Sequence, residues 1–357
     1  MKEEGWELLL VSADGREVQS ICRAEGVRHE VIPFVKGVNY VEDFISFWLL
    51  FQLIRKERPD VIHSYDSKAG FLGMLAGSLV GIPHRIHSIT EMPVHTKDPQ
   101  KGLTFLEKWT FSNATSLWVN STGMLSFFTS NSGIDADKFK LLGSGSTLGV
   151  DLEKFNRQVL KENHLVAATM RILPGENDFI ILAIGALTKR KGVEDLIAAF
   201  LKSKIVSRSK LVLIGTFEQE EESLSQETIQ TIREHPRVVQ IDWTDHVEHH
   251  LALADVLVQP SHEEGFSNVL LEAAAMQVPI ICSNCVGNTS LIKQKKTGLV
   301  FPVGEVPVLK EALEFAYVKR DALATYADAL YQEVHEKFER KSMRQLQLEK
   351  YQRMVSG

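Results

Sequence analysis

Between residues 179 and 302, short apolar runs alternate with amphipathic stretches, and this alternation restricts the chain to one fold class. FIILAIG (179–185), KLVLIG (210–215), RVVQI (237–241), DVLVQP (255–260), PIICS (279–283) and TGLVFP (297–302) read as strands. Between the first two, GVEDLIAAFLKSK (192–204) places Val193, Leu196, Ile197 and Phe200 at helical spacing. SLSQETIQTIREH, HVEHHLALA and residues 267–276 also read as helices, and a long helical tail follows the last strand. Strands this apolar are buried on both faces, which calls for parallel neighbours with helices above and below. The pattern predicts a doubly wound α/β domain of about six strands, with ligands beyond the carboxyl ends of the strands.

The first half repeats the pattern. WELLLVSA (6–13), HEVIPF (29–34), DVIHSY (60–65), HRIHSI (84–89), SLWVNS (116–121) and FKLLGS (139–144) are strand candidates, with helices over 41–57 and 67–80 among those between them. A chain of 357 residues accommodates two such domains. We place the first at 1–160 and the second at 175–335, and expect a C-terminal helix over 336–357 to pack back toward the first. The boundary falls in a polar stretch that closes on Pro174-Gly175. Residues 1–5 read as the last turn of a helix capped by Gly5. A doubly wound domain normally opens with a central strand, so an opening strand–helix unit is expected upstream of Met1. The alternative is a smaller fold that starts there.

Composition removes several function classes. Hydrophobic residues are 44% and charged residues 24% of the chain, as in soluble globular proteins. The net charge is −6 and neither half is basic, so no nucleic-acid partner is expected. Three cysteines, Cys22, Cys282 and Cys285, fit a reducing compartment. Cys282 and Cys285 form a lone CxxC, a metal pair or simply the end of a buried strand. The longest apolar run, from Phe44 to Phe51 and on to Ile54, falls short of the ~20 residues of a membrane span. It is either a buried helix face or a face that dips into a membrane surface. His246, His249 and His250 read as surface positions with no acidic partner at metal-ligand spacing.

The segment PSHEEGFSNVLLEAAAMQVPII (260–281) carries the chemistry. A strand delivers it to the top of the sheet, Gly265 lets backbone approach a ligand, and a helix starts near Ser267. The first backbone N–H groups of that helix, on Ser267, Asn268 and Val269, then face the crevice as an anion site suited to a diphosphate. Glu264 in the loop and Glu272 one turn into the helix flank that site and can accept hydrogen bonds from sugar hydroxyls. Two solvated acids are the plain alternative.

This segment resembles the signature of the retaining glycosyltransferases of family 4, which have the GT-B fold of two doubly wound, Rossmann-like domains facing across a cleft. The resemblance assigns Glu264 to the transferred sugar and Glu272 to the ribose. The family's phosphate stretch, Gly-Arg-Leu-x-x-x-Lys-Gly, is similar to GALTKRKG (185–192), in which Gly185, Leu187, Lys191 and Gly192 match and Ala186 replaces the arginine. Lys189 and Arg190 in the same loop either stand in for that guanidinium or, the plainer reading, belong to a solvated turn. Gly215 and Phe266 complete the donor-binding candidates, and Lys191 joins Glu264 as a catalytic one. RPDVIHSYDSKAGFLGMLAGSLVGIPHRIHS (58–88), LEKWTFSNATSLWVNS (106–121) and LLGSGSTLGVDLEKF (141–155) are similar to the first domain of bacterial members that build surface polysaccharide or capsule. Where those members have a His-Gly, this chain has Thr90-Glu91. Where they have Asn-Gly-Val-Asp, it has Leu148-Gly149-Val150-Asp151. The acceptor-side candidates are His63, Asp66, Lys68 and His87.

The resemblance implies transfer of a sugar, such as an N-acetylhexosamine, from a nucleoside-diphosphate donor, expected to be UDP-linked. Configuration is retained, and the acceptor is a glycan linked to a polyprenyl diphosphate. The donor is a substrate, so no cofactor is implied, and no metal. The expected location is cytoplasmic, at the inner face of the bacterial membrane, with peripheral membrane contact. The alternative is a non-catalytic nucleotide-sugar binder or partner subunit, to which Ala186, Thr90 and Leu148 give weight.

Overall fold

The computed structural model describes residues 5–35, 37, 39–65, 67–92, 103–146, 148–172, 175, 178–218 and 223–356. The chain divides into two units. The first comprises residues 1–120, 125–142 and 345–357, and the second 121–124 and 143–344.

The first unit opens with β1 (Leu9–Ser12), α1 (Arg16–Glu25), β2 (Arg28–Val31) and α2 (Tyr40–Glu57). It continues with β3 (Val61–Ser64), α3 (Ser67–Val80), β4 (His84–Ile89), α4 (Phe105–Asn113) and β5 (Ser116–Val119). α5 (Thr122–Asn131) and β6 (Phe139–Leu141) follow. β1 and β2 form one parallel pair, while β3, β4, β5 and β6 form a second parallel sheet in that order. Among the described residues the two sheets share no ladder, but Val11 of β1 packs in the same apolar cluster as Ile62 of β3. Side chains fix the helix starts. Asn39 accepts from the Glu42 N–H, and Thr104 with Glu107 makes a reciprocal capping box.

The second unit holds α6 (Glu162–Ile172), β7 (Phe179–Ile184), α7 (Val193–Lys202), β8 (Ser209–Ile214), α8 (Gln226–Glu234) and β9 (Val238–Ile241). Then come α9 (Val247–Leu253), β10 (Val256–Gln259), α10 (Asn268–Ala275), β11 (Ile280–Ser283), α11 (Val286–Thr289) and β12 (Leu299–Phe301). α12 (Val306–Val318), α13 (Arg320–Lys337) and α14 (Arg340–Ser356) end the chain. The six strands are all parallel, in the order β12-β11-β10-β7-β8-β9. Successive residues of β7 enter different cores. Ile180 and Leu182 pack with Leu270, Leu271 and Ala274, whereas Phe179, Ile181 and Ala183 pack with Leu196, Phe200 and Leu313. Both sheet faces are therefore covered, which is why these strands read as unbroken apolar runs.

The expected boundary differs in detail. The second unit takes the chain from residue 143, ahead of residue 160. Val150 donates to Phe338 O at 2.8 Å, Arg340 donates to Val150 O at 2.8 Å, and Phe155 lies in the core beside Phe338. The stretch read as a polar connector contains α6, whose Ala168 and Ile172 are buried. The tail after β12 is three helices, with breaks at residue 319 and at residues 338–339, and residues 345–357 group with the first unit. There Lys350 donates to Leu141 O at 2.7 Å and the Tyr351 ring lies 5.2 Å from that of Trp118.

Candidate functional site

β7 and β10 are neighbours, while β8 lies on the other side of β7. The chain order reverses between them, and in open parallel sheets ligands bind at such a switch point. The loops leaving these two strands, 185–192 and 260–267, hold the donor-side candidates. They touch through Gly192, whose φ is +70°, a conformation that glycine adopts readily. A Cβ there would lie 2.1 Å from Pro260 O. Gly215 serves similarly after β8, where a Cβ would lie 1.9 Å from Gly185 O. His262 N–H donates to Arg190 O at 2.8 Å, and Gly287 N–H donates to Glu264 O at 3.0 Å. The loops are thus held by backbone on both sides.

On this frame Lys191 Nζ sits 2.7 Å and 3.0 Å from the two carboxylate oxygens of Glu264. Its own N–H donates to Thr188 Oγ1 at 3.2 Å. In the adjoining turn, Leu270 N–H donates to Ser267 O at 3.2 Å. Among the described residues the N–H groups of Ser267, Asn268 and Val269 have no acceptor. The Ser267 hydroxyl is buried and also without a partner, and Asn268 Oδ1 accepts from Ser146 at 3.3 Å. Gly265 and Phe266 are buried, with the Phe266 ring against Phe338. Glu272, half-buried in the second turn of α10, has its carboxyl pushed up to about 7. Burial is the main cause, Lys154 and Arg340 oppose it, and Glu248 adds to it. A cation, a row of unsatisfied donors and two carboxyl groups can together hold an anion and a polyhydroxyl group.

Sequence reasoning missed the support beneath this loop. Gln259 donates to Ser261 at 3.0 Å, Ser283 donates to Ser261 O, and Asn288 Nδ2 reaches Ser283 Oγ at 3.1 Å. All four are buried. Polar residues at the ends of otherwise apolar strands were the available signal. Cys282 lies in β11 and Cys285 caps α11, both buried and both free thiols. Burial raises both thiol pKa values.

The first-unit candidates lie in packed or paired surroundings. His63 bonds to Ser88 Oγ at 2.7 Å and to Tyr351, and stacks on Tyr65. Burial, with His87 adding to it, holds its ring down at about 3. His87 is buried, 2.9 Å from Ser64 Oγ, and a Cβ on Gly70 would come within 2.5 Å of its ring. Lys68 donates to Asp43 at 2.6 Å, to Val35 O at 2.7 Å and to Gly37 O, tying α3 to the start of α2. Asp66 lies outside the described residues. His262 turns to Asp195 on α7, at 2.6 Å.

The histidines of α9 correct the sequence reading. His246 is exposed, but His249 and His250 are buried and the neighbouring Glu248 is an acidic partner. The reason is the packing of α6 against that face of α9.

Residues 170–331 match the family described as "Glycosyl transferases group 1", and residues 1–145 match "Glycosyl transferase 4-like domain". The chain is 29% identical over 322 residues to the capsular polysaccharide biosynthesis glycosyltransferase CapM of Staphylococcus aureus, covering 88% of this chain and 81% of that one. It is 24% identical to the UDP-Gal:alpha-D-GlcNAc-diphosphoundecaprenol alpha-1,3-galactosyltransferase of Escherichia coli, covering 86% and 81%. Among solved structures, Anabaena Alr3699/HepE in complex with UDP and glucose superposes with a TM-score of 0.81 at 17% identity, over 96% of this chain and 91% of that one. A glycosyltransferase from Rickettsia africae superposes at 0.80 and 18% identity, over 99% and 92%. The fold is that of the GT-B glycosyltransferases.

Proposed function

We propose that this chain, a glycosyltransferase by the two families its halves match, is a retaining family 4 enzyme that moves a sugar from a UDP-sugar onto a lipid-linked glycan in surface polysaccharide synthesis. One observation carries the reading. The Lys191–Glu264 pair adjoins three backbone N–H groups without acceptors, at the switch point of the sheet. The N–H groups of Ser267, Asn268 and Val269 receive the diphosphate, and its charge draws the Lys191 ammonium toward it. Glu264 accepts from hydroxyls of the transferred sugar, and Glu272 from those of the ribose. As the glycosidic bond breaks, negative charge grows on the diphosphate. The helix start, and Lys191 once the bound diphosphate has drawn it in, stabilise that charge, which favours the transition state over the ground state. No step in this account runs through a metal ion, so adding magnesium or manganese leaves turnover unchanged.

The acceptor assignment draws on the names of the relatives, one of which acts on a diphosphoundecaprenol-linked sugar. A polyprenyl acceptor lies in a bilayer, and among the described residues no helix is long and apolar enough to cross one. Peripheral contact at the inner, cytoplasmic face is therefore proposed. α2 offers Tyr40, Val41, Phe44, Ile45 and Trp48, with Tyr40 85% and Trp48 50% exposed. α4 offers Phe105 and Trp109, also exposed. Both helices pack on α3. Aromatic residues on an exposed helix face suit the headgroup boundary.

Ala186, in place of the arginine of the phosphate stretch, favours a second reading as a binder without transferase activity. A thermal-shift panel of nucleotides and nucleotide sugars begins the test. A donor at 100 times its Kd stabilises the fold by ~2.7 kcal/mol, and UDP-sugars are expected to lead the panel. No response to any nucleotide sugar contradicts the proposal. A response without transfer to any polyprenyl-linked acceptor selects the binder.

A further inference from the structure

α6 and α9 bring three histidines together outside the donor site. His164 on α6, His246 at the start of α9 and His249 within it each offer a ring nitrogen, and these lie within 4.8 Å of one another. The ring centres are 4.4 Å apart for His164 and His246, and 5.1 Å for His164 and His249. Beside them, Glu248 Oε1 lies 3.0 Å from His249 Nδ1 and 3.3 Å from His246 Nδ1. Its other oxygen lies 3.5 Å from Lys154 Nζ. His249 is only 3% exposed, and its Nε2 has no hydrogen-bond partner among the described residues. Buried ring nitrogens normally have one.

We propose that His164, His246 and His249 bind one divalent transition-metal ion of the zinc, cobalt and nickel class. Three imidazoles suit that class, whereas magnesium and calcium call for oxygen ligands. Burial favours the neutral form of His249, the form that ligates. Glu248 bonds to His246 Nδ1 and orients that ring, as carboxylates do behind metal-bound histidines. A small closure of the rings brings the nitrogens to the ~2.0–2.1 Å of a zinc–imidazole bond, with water as fourth ligand. The ion would clamp α6 to α9. The donor-site account assigns no ligand contact to these three histidines, so the two proposals stand or fall separately.

The test uses the full chain with any polyhistidine tag removed and metal stripped by a chelator. Zinc is titrated in competition with a chromophoric chelator, cobalt by its visible absorption, and the thermal midpoint is followed with zinc or magnesium. The expected result is one zinc per chain, a raised midpoint with zinc and none with magnesium. His164→Gln and His246→Gln change side chains that are not fully buried, and circular dichroism checks their folding. Each is expected to bind zinc roughly tenfold or more weakly, at least the loss seen when a supporting residue is removed. His235→Gln is expected to bind as the parent does. No stoichiometric zinc binding by the parent, or unchanged binding in His164→Gln or His246→Gln, overturns the proposal.

Discussion

Lys191 and Glu264 hold each other through two short contacts, so their variants have different expected effects. On the proposed reading, Lys191→Ala removes the cation assigned to the diphosphate. A charged hydrogen bond is worth ~1.5–3 kcal/mol, so UDP should bind about ten- to a hundredfold more weakly in calorimetry. Glu264→Ala should leave UDP binding nearly intact and lower turnover of the sugar donor, because only that ligand carries the sugar. Equal weakening of free UDP by both changes would refute this division of roles. Glu272 gives a pH signature. Its folded pKa of about 7 exceeds the ordinary 4.5, so the folded chain retains a proton that the unfolded chain releases. Stability therefore falls as pH rises through this window, by at most about 3 kcal/mol. Glu272→Gln should match the parent near pH 4.5 and exceed its thermal midpoint near pH 8; a midpoint below the parent at the higher pH contradicts the argument. These carboxylates were legible in the sequence because glycine, strand end and helix start lie close together, and Lys191 through the resemblance of residues 185–192 to the family's phosphate stretch. The Gln259–Ser283–Asn288 network was not, since Asn288 and Gln259 are 29 positions apart. His164 likewise meets His246 and His249 only through the packing of α6 on α9.

At the scale of elements, burial explains what could be read. β7 to β12 lie in a sheet covered on both faces, so each shows as an apolar run between turn signals. Leu182 lies at the centre of β7 with no exposed surface, and Leu182→Ala should cost about 2–5 kcal/mol in denaturant unfolding. A loss well below 1 kcal/mol, the scale of a surface substitution, would place it outside the core. α6 was hidden for the opposite reason. Only Ala168 and Ile172 of its residues are buried, too thin a stripe to distinguish a helix from a polar connector. The apolar run of α2 left a buried face and a membrane-dipping face both open, and only the structure separates buried Leu50 and Ile54 from exposed Phe44 and Trp48.

At the scale of the molecule, the proposal joins a donor site in the second unit to an acceptor held in a membrane. Membrane contact is tested with vesicles containing anionic lipid. The parent chain should sediment with them, and Phe44→Glu combined with Trp48→Glu should remain in solution while keeping its thermal midpoint, since both positions are exposed. Equal sedimentation of the two proteins would remove α2 from the membrane account. The central claim is transfer with retained configuration. The direct measurement incubates the chain with an α-linked UDP-sugar and a polyprenyl-diphosphate-linked sugar in vesicles, then reads the new anomeric proton of the glycolipid by NMR. The account predicts a new glycosidic linkage with the small coupling of an α-anomer. A β-linked product, or UDP-sugar that binds and stays intact with every such acceptor, would contradict it.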